Sequence, residues 1–413
     1  MRVSVLDAAG VNSISLEGRS IIAAMCLGQL GSLLPHVVVP SILAAFLIPE
    51  WHLSGAQAGL LAGSGAAGYM LAVPVLATLT DRIDARKILI VGSALSALGT
   101  VLFGLFAQGL WSGALFNAIA GVGFAGAYMP GLKALTDRLA PGESSRAITL
   151  YTSSFSFGVG LSFLVSQLVA ESWGWRTAFF VTALGPLVML TVCVLLRPVD
   201  PKPAQGRLLD FAPVFRNRDA MGYVLGYGAH CFELYGIRTW IVAFWTYVSM
   251  RNSASSILTP IVVSVLFSLL AMPASILGNE FALRIGRHRA ITIVMFGSAL
   301  VALLLGIFAD KSPAFLLPLI IAYAITVPAD SGALTSGMTI SANPGYRGAT
   351  MAMHSTVGFS LSALGAWLVG VALDAAGGPQ NPSAWTAAFA VLAAGILLGP
   401  VALYWSRPRT LQP

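Results

Sequence analysis

The sequence predicts an all-α integral membrane protein with twelve transmembrane helices, arranged as two pseudo-symmetric six-helix bundles. Of its 413 residues, 57% are hydrophobic and only 9% are charged, and the mean hydropathy is +0.82. A soluble domain has roughly 25% charged residues, so this composition excludes a water-soluble enzyme, a nucleic-acid-binding protein and a disordered chain. The apolar residues fall into long runs, and the second half of the chain repeats landmarks of the first.

Twelve apolar runs are long enough to be spans, since a transmembrane helix needs about 20 residues. In the first half they cover residues 20–47, 54–79, 87–108, 111–135, 146–170 and 176–197. In the second half they cover residues 219–247, 256–282, 290–309, 313–338, 347–373 and 384–405. Residues 198–218, rich in Pro and basic residues, are predicted as the cytoplasmic linker between an N-terminal bundle (1–197) and a C-terminal bundle (219–413).

The distribution of basic residues predicts the orientation in the membrane. Of the 23 Lys and Arg residues, 19 fall on the side that holds both termini and the linker, and three, Arg176, Arg251 and Lys311, fall on the other. Because Lys and Arg concentrate in cytoplasmic loops, we expect both termini in the cytoplasm and a bacterial-type cytoplasmic (inner) membrane. Asp7 and Glu17 argue against a cleavable signal peptide. The net charge of +7 then reflects topology and implies no nucleic-acid partner.

Three landmarks recur in the two halves at nearly constant spacing. Arg82 and Arg284 follow corresponding spans at an offset of 202, and the openings of spans five and eleven, at residues 146 and 347, are offset by 201. Spans six and twelve begin at Trp175 and Trp385, offset by 210. A duplicated six-helix unit explains this pattern, and such halves enclose a midplane site in many secondary transporters.

With these features the chain resembles the major facilitator superfamily over essentially its whole length. The loop between spans two and three is similar to the family signature Gly-x-Leu-Ala-Asp-Arg-x-Gly-Arg-Arg, with Ala77 in place of the first Gly and Asp84 in place of the second. The matching residues are Leu79, Asp81, Arg82, Arg86 and Lys87. The second-half copy keeps Arg284, Gly286 and Arg287, with Leu283 in place of the acid.

This resemblance implies a cytoplasmic gate. In the family, residues equivalent to Asp81 and Arg82 latch the cytoplasmic face while the cavity opens outward. A carboxylate at a helix end can also accept from backbone N–H groups and pair with neighbouring basic residues. The predicted gate residues are Asp81, Arg82, Arg86, Lys87, Arg284 and Arg287. Alternatively, Arg86 and Lys87 serve only as a topology signal.

The seventh span is exceptional because it carries His230, Glu233 and Arg238. An ionisable side chain at membrane depth costs roughly 2.5 to 3.5 kcal/mol on insertion scales, so each should face protein or a water-filled cavity. His230 and Glu233 share a helix face, whereas Arg238 lies about 140° from Glu233 and pairs with it only if the helix breaks near Gly236. Glu233 is predicted as a proton carrier. The alternatives are a structural charge network, and an Arg238 that snorkels to the surface.

Other polar residues inside spans complete a predicted substrate or proton pathway. His36 lies near the middle of span one, between Pro35 and Pro40. Asp330 lies in span ten between Pro328 and Gly332, where a helix is expected to kink. For His36 and Tyr128 the alternative is simple packing. The pathway is predicted to comprise His36, Asn117, Tyr128, His230, Glu233, Arg238, Asp330 and His354.

These observations predict a secondary active transporter and not an enzyme. The chain has no nucleotide-binding motif and no Cys/His cluster with metal-ligand spacing, so no cofactor is expected. The expected partners are a small organic solute, anionic or zwitterionic, protons, and membrane lipid around a monomer.

Two alternatives stay open: an efflux pump for hydrophobic compounds, and a transport-dead receptor or lipid flippase on the same fold. The pump is disfavoured by two departures from family signatures. Asn117 stands where many proton antiporters have Arg, and the fifth span has Gly158-Val159-Gly160 without Pro.

Overall fold

The computed structural model describes residues 19–139, 144–200, 209–251 and 258–406, and every regular element within these ranges is helical. Within these ranges, ten segments are long and apolar enough to cross a membrane, and the bent pair Ser20–Leu33 and Val38–Trp51 forms an eleventh. The helix Arg218–Arg251, 34 residues long, is the predicted seventh span. The prediction of a twelve-helix membrane protein is confirmed. Both chain ends, residues 201–208 of the predicted linker and the start of the predicted eighth span at 256 lie outside the described residues.

In the first half the helices follow the predicted spans. They are α1 (Arg19–Leu33), α2 (Val38–Ile42), α3 (Ile48–Trp51), α4 (Gly55–Leu79), α5 (Ala85–Phe106), α6 (Leu110–Ala125), α7 (Tyr128–Thr136), α8 (Ser144–Trp173) and α9 (Trp175–Leu195). A π-helical turn, Leu43–Leu47, joins α2 to α3. The first and fourth predicted spans are therefore broken helices. The first bends by 47°.

The second half repeats this arrangement with breaks of its own. Its helices are α10 (Ala212–Arg216), α11 (Arg218–Arg251), α12 (Pro260–Ile285), α13 (Arg287–Ile307), α14 (Pro313–Thr326), α15 (Ser331–Ser341), α16 (Arg347–Ala375), α17 (Pro382–Ile396) and α18 (Leu398–Ser406). Short α10 lies inside the predicted linker. The tenth predicted span breaks between α14 and α15, immediately before Ser331, whereas α11 continues without a break through Gly236. The condition for a direct Glu233–Arg238 pair is therefore not met.

The two halves meet closely along α4 and α16. A Cβ atom on Gly59 would lie 2.3 Å from the carbonyl oxygen of Ala366, and one on Gly370 would lie 2.1 Å from that of Gly55. Such backbone contact is possible only with small residues. Membrane helices use small residues at their contacts because the hydrophobic effect does not drive helix association within lipid, so close packing must stabilise it. We call the end of the molecule where α4 ends and α16 begins the linker end, and the opposite end the far end.

Candidate functional site

A cavity lies between the two halves, beside the break in the first span. It is lined by α4, α5 and α6 of the first half, by the turn between α1 and α2, and by α11 and α16 of the second half. Its polar lining residues are Ser32, His36, Tyr69, Ser96, Asn117, Tyr235, Arg238 and Thr239. Both halves thus contribute side chains to one central chamber, as expected for a transport site.

Arg238 is the strongest charge in this cavity. Its side chain is only 4% exposed, and its guanidinium lies 5.0 Å from the ring centroid of Tyr235. The buried Nε and Nη1 atoms have no hydrogen-bond partner. Among the described residues, no acid lines the cavity. Arg238 therefore faces the chamber and does not snorkel to the surface, so it presents donor groups to whatever occupies the space.

His36 lies in the turn that breaks the first span. Its Nε2 atom is 3.2 Å from the hydroxyl of Tyr235, which joins the first half to α11. Its ring also packs against Phe124, with centroids 4.8 Å apart, and against Phe155 at 5.6 Å. His36 consequently lines the cavity while bridging the two halves.

Asn117 and Tyr128 occupy different positions relative to the cavity. Asn117 lines it, and its Nδ2 atom donates to the carbonyl of Leu61 at 3.1 Å and to the hydroxyl of Ser64 at 3.0 Å, which ties α6 to α4. Tyr128 is not a lining residue; its ring packs against Phe124 and Phe155 at the break between α6 and α7. For Tyr128 the geometry matches the packing interpretation.

Glu233 points away from the central cavity, into the second half. Its Oε1 atom accepts hydrogen bonds from Ser298 of α13 at 2.9 Å and from Tyr323 of α14 at 3.0 Å. The side chain is fully buried, and its Oε2 atom has no hydrogen-bond partner. The expected partnership with His230 or Arg238 is replaced by two neutral hydroxyl groups.

His230 instead faces Asp330. The His230 Nδ1 and Asp330 Oδ1 atoms are 2.6 Å apart, and both side chains are at most 2% exposed. Asp330 is held there by the break in the tenth span. His354 lies nearby, stacked on Tyr227 with ring centroids 3.7 Å apart, and Tyr227 also stacks on His230 at 5.5 Å. Apart from Tyr128, the predicted pathway residues therefore form three groups: the cavity residues His36, Asn117 and Arg238, the buried Glu233, and the cluster of His230, Asp330 and His354.

A second cavity opens between the halves at the linker end. Asp81 lines it and is exposed; its Oδ2 atom lies 3.3 Å from where a Cβ of Gly348 would be, at the start of α16. Desolvation raises the pKa of Asp81 above its ordinary value, although Lys133 opposes this. Of the other predicted gate residues, Arg82, Lys87 and Arg284 are exposed, and Arg287 is partly buried.

Arg86 has a different role from the one predicted. Its Nε atom donates to the carbonyl of Cys193 at 2.7 Å, and its Nη2 atom donates to that of Val194 at 3.2 Å. These carbonyls belong to the last turn of α9, where a cation is favoured by the helix dipole. Arg86 therefore binds within the first half, and is more than a topology signal.

Asp84 joins the start of α5 to Arg138 and Val199, a role that was not predicted from the sequence. Its carboxylate caps α5 by accepting from the Arg86 amide at 2.9 Å, accepts from the Val199 amide at 3.0 Å, and pairs with Arg138 at 2.9 Å. Burial raises the pKa of Asp84, but these hydrogen bonds outweigh it and hold that pKa below its ordinary value. An Asp one residue before a helix start is an N-cap signal, which could have identified it.

The sequence model of the Major Facilitator Superfamily matches residues 25–366. The chain belongs to the major facilitator superfamily. The duplicated bundles, the broken spans and the chamber between the halves are thus those of a transporter of this superfamily.

Solved structures of superfamily transporters share this fold. A bacterial homologue of the human lysosomal transporter Spinster, in an inward-facing and unoccupied conformation, is 19% identical with a TM-score of 0.70 over 94% of each chain. The nucleoside transporter NupG is 14% identical with a TM-score of 0.68, over 94% of this chain and 98% of that one. The peptide transporter POT, in complex with sulfate, is 14% identical with a TM-score of 0.75, over 95% and 96%. At these identities the likeness is one of fold.

Proposed function

We propose that this superfamily member is a secondary active transporter that moves a small organic anion by alternating access, in symport with protons. The observation that carries the proposal is Arg238, buried in the central cavity with two N–H groups unpartnered and no acid in the described lining. Burying a charge without a partner is unfavourable. A carboxylate on the solute would supply the missing partner through charge-assisted hydrogen bonds.

The surrounding side chains narrow the chemistry of the solute. A guanidinium offers paired donors in a rigid plane that matches a carboxylate. The hydroxyls of Ser32 and Tyr69 are also buried without partners in this cavity, while Phe124 and Phe359 supply apolar surface. No described lining residue would neutralise a substrate ammonium group. An organic acid with a compact apolar or hydroxylated remainder therefore fits better than a zwitterion.

Proton coupling is assigned to the buried acids of the second half. Glu233 has one carboxylate oxygen satisfied by Ser298 and Tyr323 and the other free to hold a proton. Asp330, paired with His230, is the second candidate. Protonation removes a charge from a low-dielectric environment, which would alter the packing of α11 against α13, α14 and α15. We also propose that the linker end faces the cytoplasm of a bacterial-type inner membrane, as the basic residues predict, and that the protein functions as a monomer.

The test is uptake by the purified full-length protein in proteoliposomes. Radiolabelled mono- and dicarboxylates, amino acids and neutral solutes would be compared with and without an imposed pH gradient. Arg238→Gln should weaken binding of the accepted carboxylate by about 30-fold or more, as expected when one partner of a buried charge pair is lost. Lys311→Gln, which removes an exposed charge, serves as the control.

Glu233→Gln should abolish pH-driven uptake while counterflow exchange continues. Carboxylate uptake that survives Arg238→Gln unchanged would falsify the anion site. Export of hydrophobic compounds that is insensitive to Arg238→Gln would favour the pump, and wild-type pH dependence in Glu233→Gln would remove Glu233 from the proposal.

A further inference from the structure

One carboxylate joins the two halves at the far end. Asp374, the penultimate residue of α16, accepts hydrogen bonds from the first two backbone amides of α4. Its Oδ1 atom lies 2.6 Å from the Gly55 nitrogen, and its Oδ2 atom lies 2.8 Å from the Ala56 nitrogen. Because α4 belongs to the first half and α16 to the second, this contact spans the interface that must open for access from the far end.

The residues that cap α4 leave two of its first amides for Asp374. The first amides of a helix have no partner within it, and that end carries a partial positive charge. The Ser54 hydroxyl satisfies only one of these amides, that of Gln57, from which it accepts a hydrogen bond at 3.2 Å. The Gln57 side-chain oxygen in turn accepts from the Ser54 amide at 3.0 Å. The amides of Gly55 and Ala56 are left for Asp374 of the other half. Separation of the halves would expose both amides and the carboxylate together.

Beside this contact, α4 and α16 pack closely against each other. Gly55, Gly59 and Gly63 lie along one face of α4 and approach the backbone of Gly370, Ala366 and Ala363 on α16. The indole of Trp240 also donates to the carbonyl of Ala366 at 3.0 Å. At the linker end, by contrast, α4 and α16 border the second cavity. Along this helix pair the far end is thus closed, while the linker end holds open space.

We propose that Asp374 is a latch for the far end, which holds α4 to α16 while that end is closed and releases the start of α4 when the cavity opens there. Asp81 has the reciprocal position, just beyond the end of α4 and beside the start of α16. The antiparallel pair α4 and α16 therefore carries one carboxylate at each end, each next to the first turn of the opposite helix. The latch rests on the proposed alternating access, but not on the identity of the solute.

The test measures the far-end opening directly, without substrate. Spin labels at Gln108→Cys, between α5 and α6, and Gln380→Cys, between α16 and α17, occupy exposed positions on the two halves. The background is Cys26→Ser, because Cys193 and Cys231 are buried. Distances are read by double electron–electron resonance on the full-length protein in lipid nanodiscs.

Asp374→Asn keeps one acceptor but loses the charge and the second acceptor. It should shift the ratio of long to short distances toward the open state by about tenfold or more, given the strength of charge-assisted hydrogen bonds. The matched control is Asp310→Asn, an exposed acid at the same end whose partner, Lys311, lies in the same half. The control should keep the wild-type distribution, and an unchanged distribution in Asp374→Asn overturns the latch.

A second variant removes the donor instead of the acceptor. Ala56→Pro deletes one of the two amide donors at a first-turn position where Pro is tolerated, and Asp374 stays intact. It should shift the distance distribution toward the open far end, as Asp374→Asn does, but by a smaller factor. A wild-type distribution in Ala56→Pro also overturns the latch, and this result decides the matter if Asp374→Asn does not fold. If these shifts occur while carboxylate uptake is absent, the latch stands and the proposed substrate is wrong. If uptake depends on Arg238 and the distances do not change, the latch alone is wrong.

Discussion

Substitution of Asp84 by Asn should destabilise the first half far more than its single charge suggests. Asp84 accepts from Arg138 Nη2 with both oxygens, at 2.9 and 3.0 Å, and from the backbone amides of Arg86 and Val199. Asn keeps one carbonyl oxygen and turns an NH₂ group toward at least one of these donors. The Arg138 side chain is 1% exposed, so its charge would stay buried without a counter-ion.

The expected loss follows from this geometry. Removal of one partner from a buried ion pair costs about 3–5 kcal/mol. Arg138 keeps its hydrogen bonds to the carbonyls of Ala134 and Arg197, which places the expected value near the lower limit, at about 3 kcal/mol. Asp137→Asn is the matched control, because the Lys133–Asp137 pair has the same kind of contact at 2.8 Å but side chains 35% and 29% exposed. Exposed pairs contribute about 0–1 kcal/mol.

The assay is reversible unfolding of the purified protein in mixed micelles, with the free energy of unfolding compared among the wild type and both variants. At pH 7 the loss for Asp84→Asn should exceed that for Asp137→Asn by about 2 kcal/mol or more. Equal small losses would refute the reasoning, since they would mean that the buried pair contributes no more than an exposed one.

The same pair has a defined pH dependence. The pKa of Asp84 is lowered in the folded protein, so its contribution to stability is fully present above the unfolded value of about 4 and is lost as the pH falls through the lowered folded value. The stability difference between wild type and Asp84→Asn should therefore be constant from pH 5 to 8 and should shrink only in stronger acid. A difference that disappears between pH 5 and 8 would contradict this assignment.

Three further substitutions have expected outcomes in the same assay. Gly121→Ala should destabilise by at least about 1–3 kcal/mol from overpacking, because its Cβ would meet the carbonyl oxygen of Gly65 on α4. The Cβ of Gly297→Ala meets nothing within 4 Å, so this substitution should stabilise by about 0.5–1 kcal/mol. Similar values for the two would contradict the backbone contact. Asp330→Ala should destabilise by about 1–3 kcal/mol, because it leaves the buried His230 ring without the polar group that faces it, and a neutral result would show that the pair contributes nothing to stability.

The sequence was sufficient for the architecture because the bilayer imposes it locally. Each span needs a continuous apolar run, so the runs could be counted along the chain, and Pro328 beside Asp330 marked one of the breaks. The polar character of α11 was equally visible, since His230, Glu233 and Arg238 stand in an apolar run. Which neighbour each of them contacts was not visible, because a helix whose whole surface is buried has no polar face to orient it.

The partners of these residues depend on helix packing. Residues 233 and 238 differ by about 140° around α11, enough for one to face Ser298 and Tyr323 and the other to face the central cavity. His230 and Asp330 are far apart in the chain and meet only after the broken tenth span packs against α11 within the second half. His36 and Tyr235 meet only after the two halves are assembled.

Composition and apolar runs were enough to identify a twelve-span membrane protein with two related halves, and to show which few polar groups lie inside the membrane. Only helix packing placed Arg238 in a cavity whose described lining has no acid, gave the buried pair to Asp84 rather than Asp81, and brought Asp374 to the start of a helix 319 residues earlier in the chain. The physical reason is that hydropathy is a property of each segment with its solvent, whereas hydrogen bonds and ion pairs are properties of two segments brought together.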